Sequence, residues 1–586
     1  MTVLQALNQY YGRMKQRGDV VPPGYSMEPV GIVISLRPDG SIAQVYDRCT
    51  QDAKRGSPVQ VPKWFGRSGQ GSTPYLFWDN TGYALGVTSK PGEKVVRDHE
   101  AFKALHLKAL VNESDEGLVA LRHFLERWMP EQFQGRLFHK DYIDLNVAFR
   151  LESERALLHD RPAAAKLIET YRQSADSEPV FCLVTGEPAP GVRLHPKIKG
   201  VRGTSIAEVP LVSFKEPAFC SYGKDQGFNA PTSEQAAFQY GAALNQLLGK
   251  GRVNNLLIGD TTTVFWAEAK NPDDEDAAAK AEDLIALAMD PPDDDERAKK
   301  LRDALADFRS GKPLPGSAQT LSYDMRFYIL GLAPNAARIA VRFWLVDSFG
   351  NFFQNLIRHF EALHIEPTPW NRLPSVRNLL IKCTVRPSPT KSFFELEKDV
   401  KPQLAGETTR AVLLGQPYPR TLLAAVIMRL RAGDTPTGWH AAVIKACINR
   451  HSTTREMLPV ARDPDFPDPA YQLGRLFAVL EAAQYAALGK VNASIADRYY
   501  GAASATPARV FGTLLRNARN HISDALKHGK GKWVEPRLNE IFSRLPTEFP
   551  KTLNLEEQGR FAVGYYHERA WRGSGDAAQS EVGDEE

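Results

Sequence analysis

The sequence predicts a multidomain α+β protein in which a mixed α/β N-terminal part with β-hairpins precedes an all-helical C-terminal bundle. The chain has 586 residues, which is more than a single hydrophobic core accommodates. Segments typical of strands end near residue 350, and helical spacing of apolar residues fills the remainder. Hydrophobic residues make up 43% of the chain and charged residues 24%, as in ordinary soluble globular proteins.

The N-terminal part begins with an amphipathic helix in TVLQALNQYYGRM, followed by a β-hairpin that turns at residues 38–40. A strand is predicted for PYLFWDN, and residues 98–172 have helical spacing. Further strands are predicted for PVFCLVTG, VPLVSF and TTTVFWAEA, and a helix capped by Thr232 or Ser233 is predicted for TSEQAAFQYGAALNQLL. Two strands joined by a turn are predicted for MRFYILGLAPNAARIAVRFWLVD.

These patterns divide the chain into four segments. We predict an α/β part over residues 1–365, a helical connector over 366–456, a helical domain over 457–572 and a disordered acidic tail over 573–586. Within the first segment, an acidic stretch over about 271–296 is predicted to be an exposed insertion with a short helix.

The net charge of +4 is unevenly distributed. The acidic stretch contains eleven acidic residues and one lysine, a charge of −10, so the rest of the chain has a charge of +14. This excess indicates a polyanionic partner, and a merely solvated basic surface is the alternative.

The sequence has the features of a cytoplasmic protein. Its five cysteines lie far apart, with no C-x-x-C pair that would indicate a zinc site. It has no run of 18 apolar residues and no small-residue cleavage site after the first helix. We therefore expect no membrane partner and no cofactor.

One pattern in the sequence is typical of a catalytic site. Asp260, Glu268 and Lys270 follow the D…E-x-K order of many metal-dependent nucleases. If residues 260–268 form one continuous strand, eight steps of about 3.3 Å separate the two carboxylates by about 26 Å, too far to share a metal ion. A turn within residues 261–263 would be required, and a strand with outward-facing polar residues is the alternative. The chain has no Walker loop and no G-x-S-x-G motif.

A glycine-rich loop in KWFGRSGQGSTPYLFWDN is the first candidate for nucleic-acid contact. Its glycines permit close backbone approach to a groove, Arg67 supplies charge, and Gln70 can pair with a base edge or wedge into the stack. Lys63 precedes the loop, and Asn80 follows it in a strand that would aim its amide. The alternative is a flexible hairpin tip.

Two further loops have residues suited to phosphates and bases. In LHPKIKGVRG, Lys197, Lys199 and Arg202 are spaced along an extended segment, as contact with successive phosphates requires. A solvated basic loop is the alternative. In SYGKDQGFNAP, the side chains that could contact phosphates or base edges are Lys224, Gln226 and Asn229. For Asn229 the alternative is a turn in which its amide binds the backbone.

The helical C-terminal part contains a further basic surface. Arg509, Arg516 and Arg519 are spaced by seven and three residues, so they can share one helix face, and Lys527 follows. This helix is predicted to begin at Thr506 and Pro507. A single strand or a duplex could lie along the surface.

Six stretches resemble one known family. They are QALNQYY, PYLFWDNTGYALG, CLVTGEPAPGVRLHPKIKGVRG, LVSFKEPAFCSYGKDQGFNAPTSEQAAFQYGAALNQLL, FYILGLAPNAARIAVRFWLVDSFG and YYGAASATPARVF. Across nearly the whole chain they are similar to the Csd-type large subunit of the type I-C CRISPR surveillance complex, Cascade. The acidic stretch and the acidic tail lie outside this resemblance.

The resemblance implies a non-catalytic subunit that reads a protospacer-adjacent motif (PAM) in duplex DNA, helps to separate the strands and presents the complex to a helicase-nuclease. The implied partners are PAM-bearing duplex DNA, the displaced single strand, the CRISPR guide RNA, and the backbone, guide-end-capping and small subunits. In this family a small subunit is translated from the C-terminal region, and Met457 is the candidate internal start. Two alternatives remain, the metal-dependent nuclease described above and a scaffold that contacts only proteins.

Overall fold

In a computed structural model, the chain folds into two compact units. The first comprises Met1–Lys199 and Ala207–Gln246, and the second comprises Gly200–Ile206 and Leu247–Glu586. This boundary differs from the predicted one at residue 365. The structure describes residues 1–22, 24–63, 71–90, 92–173, 179–205, 208–269, 271–292, 294–312, 321–336, 338–452 and 456–571.

The first unit contains groups of short strands separated by helices. In chain order they are α1 (Val3–Gln16), β1 (Tyr25–Val30), β2 (Ile32–Leu36), β3 (Ile42–Asp47), β4 (Ser57–Pro62), β5 (Trp78–Asn80), α2 (Thr81–Ala84), α3 (Glu93–Ala109), α4 (Glu116–Arg127), β6 (Asn146–Leu151), α5 (Pro162–Gln173), β7 (Pro179–Phe181), β8 (Pro188–Pro190), β9 (Lys197–Lys199), β10 (Glu208–Pro210) and α6 (Glu234–Leu247).

The core of this unit forms between a four-stranded sheet and helices α3 and α4. The strand order is β3-β2-β6-β5, with β2 and β6 parallel and the other pairs antiparallel. Phe102, Phe124 and Phe149 are buried between the two layers. The predicted hairpin β2–β3 is confirmed. Strand β6 lies inside residues 98–172, where helix is predicted; that prediction is wrong there because the run NVAFRL is buried as a central strand.

The second unit contains one sheet and many helices. In chain order its elements are β11 (Asn255–Ile258), β12 (Thr261–Ala267), α7 (Glu275–Met289), α8 (Asp295–Arg309), β13 (Arg326–Asn335), β14 (Arg338–Ser348), α9 (Phe349–Leu363), α10 (Val376–Thr384), α11 (Phe393–Glu397), α12 (Pro402–Leu413), α13 (Arg420–Arg431), α14 (Gly438–His451), α15 (Pro469–Leu488), α16 (Ile495–Ala505), α17 (Pro507–Lys527), α18 (Val534–Phe542) and α19 (Leu555–Ala570).

The order of these elements confirms the predicted fold class. In the part of the chain that the structure describes, every strand precedes residue 349 and the remainder is helical. The sheet is antiparallel in the order β11-β12-β13-β14, and the predicted pair β13–β14 has Asn335 opposite Arg338 at its end. Phe265, Phe327 and Phe343 belong to the same core as the helices that follow.

The acidic stretch over residues 271–296 is not an exposed insertion in the part that the structure describes. Helix α7 is buried along most of its C-terminal half and packs against β12 and α9. Its buried Glu282 accepts a hydrogen bond from the Ala267 N–H at 3.1 Å. Acidic residues occupy the first turns of both α7 and α8. The prediction of exposure is wrong for α7 because its apolar residues pack into the core, while the carboxylates of the first turns lie at helix N-termini, where the helix dipole favours negative charge.

The C-terminal helices share one hydrophobic core with the preceding segment. Helix α19 packs against α15 on one side and against α14 on another, so the core continues across residue 457. The buried Arg475 on α15 pairs with Glu568 at 2.7 Å and with Glu540, and Arg462, between α14 and α15, pairs with the same two carboxylates. None of the helices described by the structure is long and apolar enough to cross a membrane.

Two glycines permit the contact between α15 and α19. An alanine methyl group at Gly474 would lie 2.0 Å from the Phe561 carbonyl oxygen, and one at Gly564 would lie 2.1 Å from the Tyr471 carbonyl oxygen. We expect Gly474→Ala to lower the free energy of unfolding by about 1–3 kcal/mol in denaturant titrations, because backbone atoms cannot move aside as a flexible side chain does.

Gly512→Ala is the matched control, since an added methyl group there meets nothing within 4 Å. Alanine is the better helix former, so this variant should be more stable than wild type by about 0.5–1 kcal/mol. Equal effects of the two substitutions would contradict the close approach of the helices.

Candidate nucleic-acid interface

The residues on either side of the glycine-rich loop are held in place by contacts with one another. Arg67 and Gln70 lie outside the described residues, so their predicted contacts stay predictions. On either side of them, the Trp78 indole N–H donates to the Pro62 carbonyl oxygen at 2.6 Å, and Tyr75 stacks on Trp78 with ring centroids 4.8 Å apart. The Lys63 ammonium lies 5.6 Å from the centre of the Tyr75 ring. These contacts hold the two ends of the loop together.

The Glu28 carboxylate connects the start of this loop to LHPKIKGVRG, the second predicted basic segment. One of its oxygens accepts from Lys63 at 2.8 Å, from Lys199 at 3.3 Å and from the Ser26 hydroxyl at 2.8 Å. Burial opposes ionisation of Glu28, but the charges of Lys63 and Lys199 and the hydrogen bonds hold its pKa below the ordinary value. Glu28 is only 8% exposed, so these contacts replace most of its hydration.

Lys63 and Lys199 therefore have internal carboxylate partners. Lys199 also pairs with Glu208 at 3.2 Å, across the antiparallel pair β9–β10. Lys197, two residues earlier on the same strand, is exposed. Sequence reasoning missed Glu28, since its lysine partners are 35 and 171 positions away and no local pattern marks it.

Asn80 caps a short helix. Its side-chain oxygen accepts from the Tyr83 N–H at 3.2 Å, at the start of α2. The preceding turn has Phe77 in the left-handed region, with φ of 68°, and its N–H donates to His106 Nε2 at 2.8 Å. Burial lowers the pKa of His106 to about 4, so this ring stays neutral and can accept that bond. The amide that was predicted to read a base is thus fixed by helix capping.

Arg202 belongs to the second unit, whereas the loop over residues 221–229 belongs to the first. Arg202 is exposed in the second unit, where its backbone N–H donates to Thr262 Oγ1 at 3.1 Å. In the first unit, Asn229 binds the backbone of its own loop, as the turn interpretation predicts. Its amide accepts from the Ser221 N–H and donates to the carbonyl oxygens of Lys224 and Gln226.

Helix α17 presents the predicted arginines to solvent. Arg509, Arg516 and Arg519 are exposed, whereas Lys527 pairs with Asp524 at 2.9 Å. The opposite face of the helix is buried in the core through Phe511, Leu514, Ala518, Ile522 and Ala525. We call the three exposed arginines the α17 strip. Such a strip on a packed helix can neutralise successive phosphates without changing the fold.

The structure does not assemble the nuclease pattern. Residues 261–267 form the continuous strand β12, so Asp260 and Glu268 lie at its opposite ends. Asp260 instead pairs with Arg342 at 3.1 Å, and Lys270 lies outside the described residues. The described part of the chain contains no group of three or more His, Cys, Asp and Glu side chains placed to hold a metal ion. The two carboxylates cannot share a metal ion.

The Glu28→Gln variant tests the shared carboxylate. Two lysine ammonium groups would then meet a neutral amide, and we expect the free energy of unfolding to fall by about 1–3 kcal/mol at pH 7. The folded-state pKa of Glu28 lies below its ordinary value of 4.5. Its contribution is therefore present above pH 4.5 and is lost as pH falls through the folded-state pKa. Denaturant titrations at pH 7 and at about pH 3.5 measure the difference.

Glu187→Gln, at an exposed position of the same unit, is the control and should leave stability unchanged at both pH values. If Glu28→Gln is as stable as wild type at pH 7, the ion pairs add nothing to the free energy of unfolding. The ends of the loop are then held by the aromatic contacts alone.

Comparison with known proteins identifies the family. The family model described as CRISPR-associated protein (Cas_Csd1) matches residues 7–572, which is nearly the whole chain. No curated protein sequence matches this chain significantly. The match confirms the resemblance seen in the six stretches, which include the segment that follows the glycine-rich loop and the start of α17. The chain is a member of the Csd1 family of CRISPR-associated proteins and thus a Cascade-type subunit.

Proposed function

We propose that this chain is the non-catalytic large subunit of an RNA-guided complex that recognises the PAM in duplex DNA, helps to unwind it and stabilises the R-loop. The α17 strip is the observation that carries the proposal, because three arginines face solvent on a helix whose opposite side is the core. Sequence specificity beyond the PAM belongs to pairing between guide RNA and target strand. The finished complex would then recruit a helicase-nuclease.

The glycine-rich loop is the proposed PAM reader. Arg67 can pair with a guanine edge, and Gln70 can pair with an adenine edge or separate a base step. The clamp formed by Pro62, Tyr75 and Trp78 supports this role, since a loop with fixed ends loses less entropy when it binds. Lys63 contributes a positive charge at the start of the loop, where its ammonium is already oriented by Glu28.

The α17 strip is proposed to hold the displaced strand or the RNA–DNA hybrid. Its arginines contact phosphates rather than base edges, so they would bind every sequence equally. Lys527 adds a weaker contact because Asp524 offsets its charge. Lys197 and Arg202 are further phosphate contacts near the DNA entry or the end of the guide RNA, and their exposure supports that role.

Met457 is proposed as the start of a separate small subunit. Its side chain is 67% exposed, and the next residue, Leu458, exchanges two hydrogen bonds with Asn449 of α14. A chain that begins at Met457 lacks α13 and α14, which cover part of α19 in the full chain. Such a fragment exposes an apolar face, and we expect to find it bound within the complex.

Removal of the α17 strip should weaken binding to all DNA sequences. We expect the triple variant Arg509→Ala, Arg516→Ala, Arg519→Ala, in a complex assembled with guide RNA, to have lower affinity and a weaker salt dependence. The slope of log K against log salt should fall by about 2 for three contacts to a single strand. Titrations of labelled target DNA at several salt concentrations measure this slope.

The loop variant Arg67→Ala with Gln70→Ala provides the contrast, since it should lose discrimination among randomised flanking sequences and keep most of the salt dependence. The control removes three arginines whose charge is offset by ion pairs, and it should change neither property. These are Arg309, Arg372 and Arg544, paired with Glu361, Asp295 and Asp465. An α17 variant with an unchanged slope, or a wild-type complex without DNA affinity, would contradict the proposal and favour a scaffold that contacts only proteins.

The internal start predicts a second product from the same gene. Intact-mass analysis of the complex purified from the untagged gene should detect a fragment that begins at Met457, and Met457→Leu should abolish it. Met428→Leu, at another exposed methionine, is the control and should leave the fragment unchanged. Absence of the fragment from the wild-type complex, or its persistence in the Met457 variant, would show that this start is not used.

A further inference from the structure

Tyr222 is the most exposed of the large apolar and aromatic side chains that the structure describes. It is 98% exposed, whereas the others reach at most 70%. Its backbone lies in the left-handed region, with φ of 55°, and Gly223 and Gln226 also have positive φ. Side chains other than glycine seldom adopt this conformation. Because almost all of the Tyr222 surface is accessible, both faces of its ring are open to solvent.

The loop that presents Tyr222 is held in one conformation. The Asn229 amide makes its three backbone hydrogen bonds across the loop, at 2.9–3.1 Å, and the Lys224 N–H donates to the Ser221 carbonyl oxygen at 3.0 Å. The Gly227 N–H donates to the Arg193 carbonyl oxygen at 2.9 Å. A side chain at Gly227 would lie 2.4 Å from the Val192 carbonyl oxygen, so this contact requires glycine.

The surroundings of Tyr222 favour a nucleobase over a protein as its partner. Residues 221–225 are all exposed, and the neighbours of Tyr222 within this range are a serine, a glycine, a lysine and an aspartate. A protein contact centred on tyrosine is normally enclosed by further packed side chains that exclude water. Stacking on one base requires only a flat accessible ring, and the Lys224 ammonium two residues away can contact a phosphate.

We propose that Tyr222 stacks on an unpaired nucleobase of the target DNA bound by the complex. This inference rests on the proposed function, because it needs a strand that is held in single-stranded form. The loop is already ordered by Asn229, so little conformational entropy is lost when the base stacks. The contact is independent of base identity, since every base has a flat face.

Fluorescence of 2-aminopurine tests the stacking directly. The probe replaces one base at a time in target DNA bound by the assembled complex, next to the PAM and along the displaced strand. We expect one position to be quenched in the wild-type complex and in Tyr222→Phe and Tyr222→Trp, and to brighten in Tyr222→Ala. The affinity of Tyr222→Ala for DNA should fall about 5- to 100-fold.

Tyr485→Ala is the matched control, because it removes another exposed tyrosine and should leave both readouts unchanged. The proposal is overturned if Tyr222→Ala has the wild-type fluorescence at every position, or if Tyr222→Phe behaves like Tyr222→Ala. It is also overturned if Tyr222→Ala loses a protein subunit from the complex while the fluorescence stays the same, which would identify a protein contact.

Failure of the proposed function is seen separately, in the wild-type complex alone. A wild-type complex that binds no target DNA would refute both proposals before any variant is compared. A wild-type complex that binds DNA, together with an unchanged Tyr222→Ala, refutes only the stacking.

Discussion

The close approach of α15 and α19 is the constraint on which the packing of the second unit depends. Gly474 and Gly564 bring the two backbones together, and the other side of α19 packs against α14. Helices that precede and follow residue 457 therefore join one core, which begins at the sheet and ends at Tyr565. Because the buried side of α17 packs against α15, the position of the exposed arginines follows from the same contact.

Charge is distributed in two ways in this protein. Several buried or half-buried cations contact carboxylates, as Arg475 does with Glu568 and Lys63 does with Glu28, because an unpaired buried charge would cost several kcal/mol. The arginines of the α17 strip face water, where folding does not require them. Removing them should change stability little. The α17 strip is thus charge that folding leaves free, and we assign it to nucleic acid.

Local sequence signals predict much of the fold and less of the site. The hairpin β2–β3, the pair β13–β14 and the start of α17 have strong periodicity, turn residues or a proline at the first helical position, and they are confirmed. Strand β6 is too short to distinguish from a buried helix segment by its pattern. Glu28 could not be found, because its role comes from lysines that only the folded chain brings together. Asn229 has a turn pattern that allows both a structural and a binding role.

Under the proposed function, the shared oxygen of Glu28 has a kinetic consequence. A DNA phosphate that recruited Lys63 or Lys199 would compete with a carboxylate that is already in contact with both. This internal competitor would reduce the net gain from each phosphate contact and would raise the rate at which the loop dissociates from DNA that offers phosphates alone. Residence time on a correct site would then depend on contacts that Glu28 cannot replace, which are those to the bases.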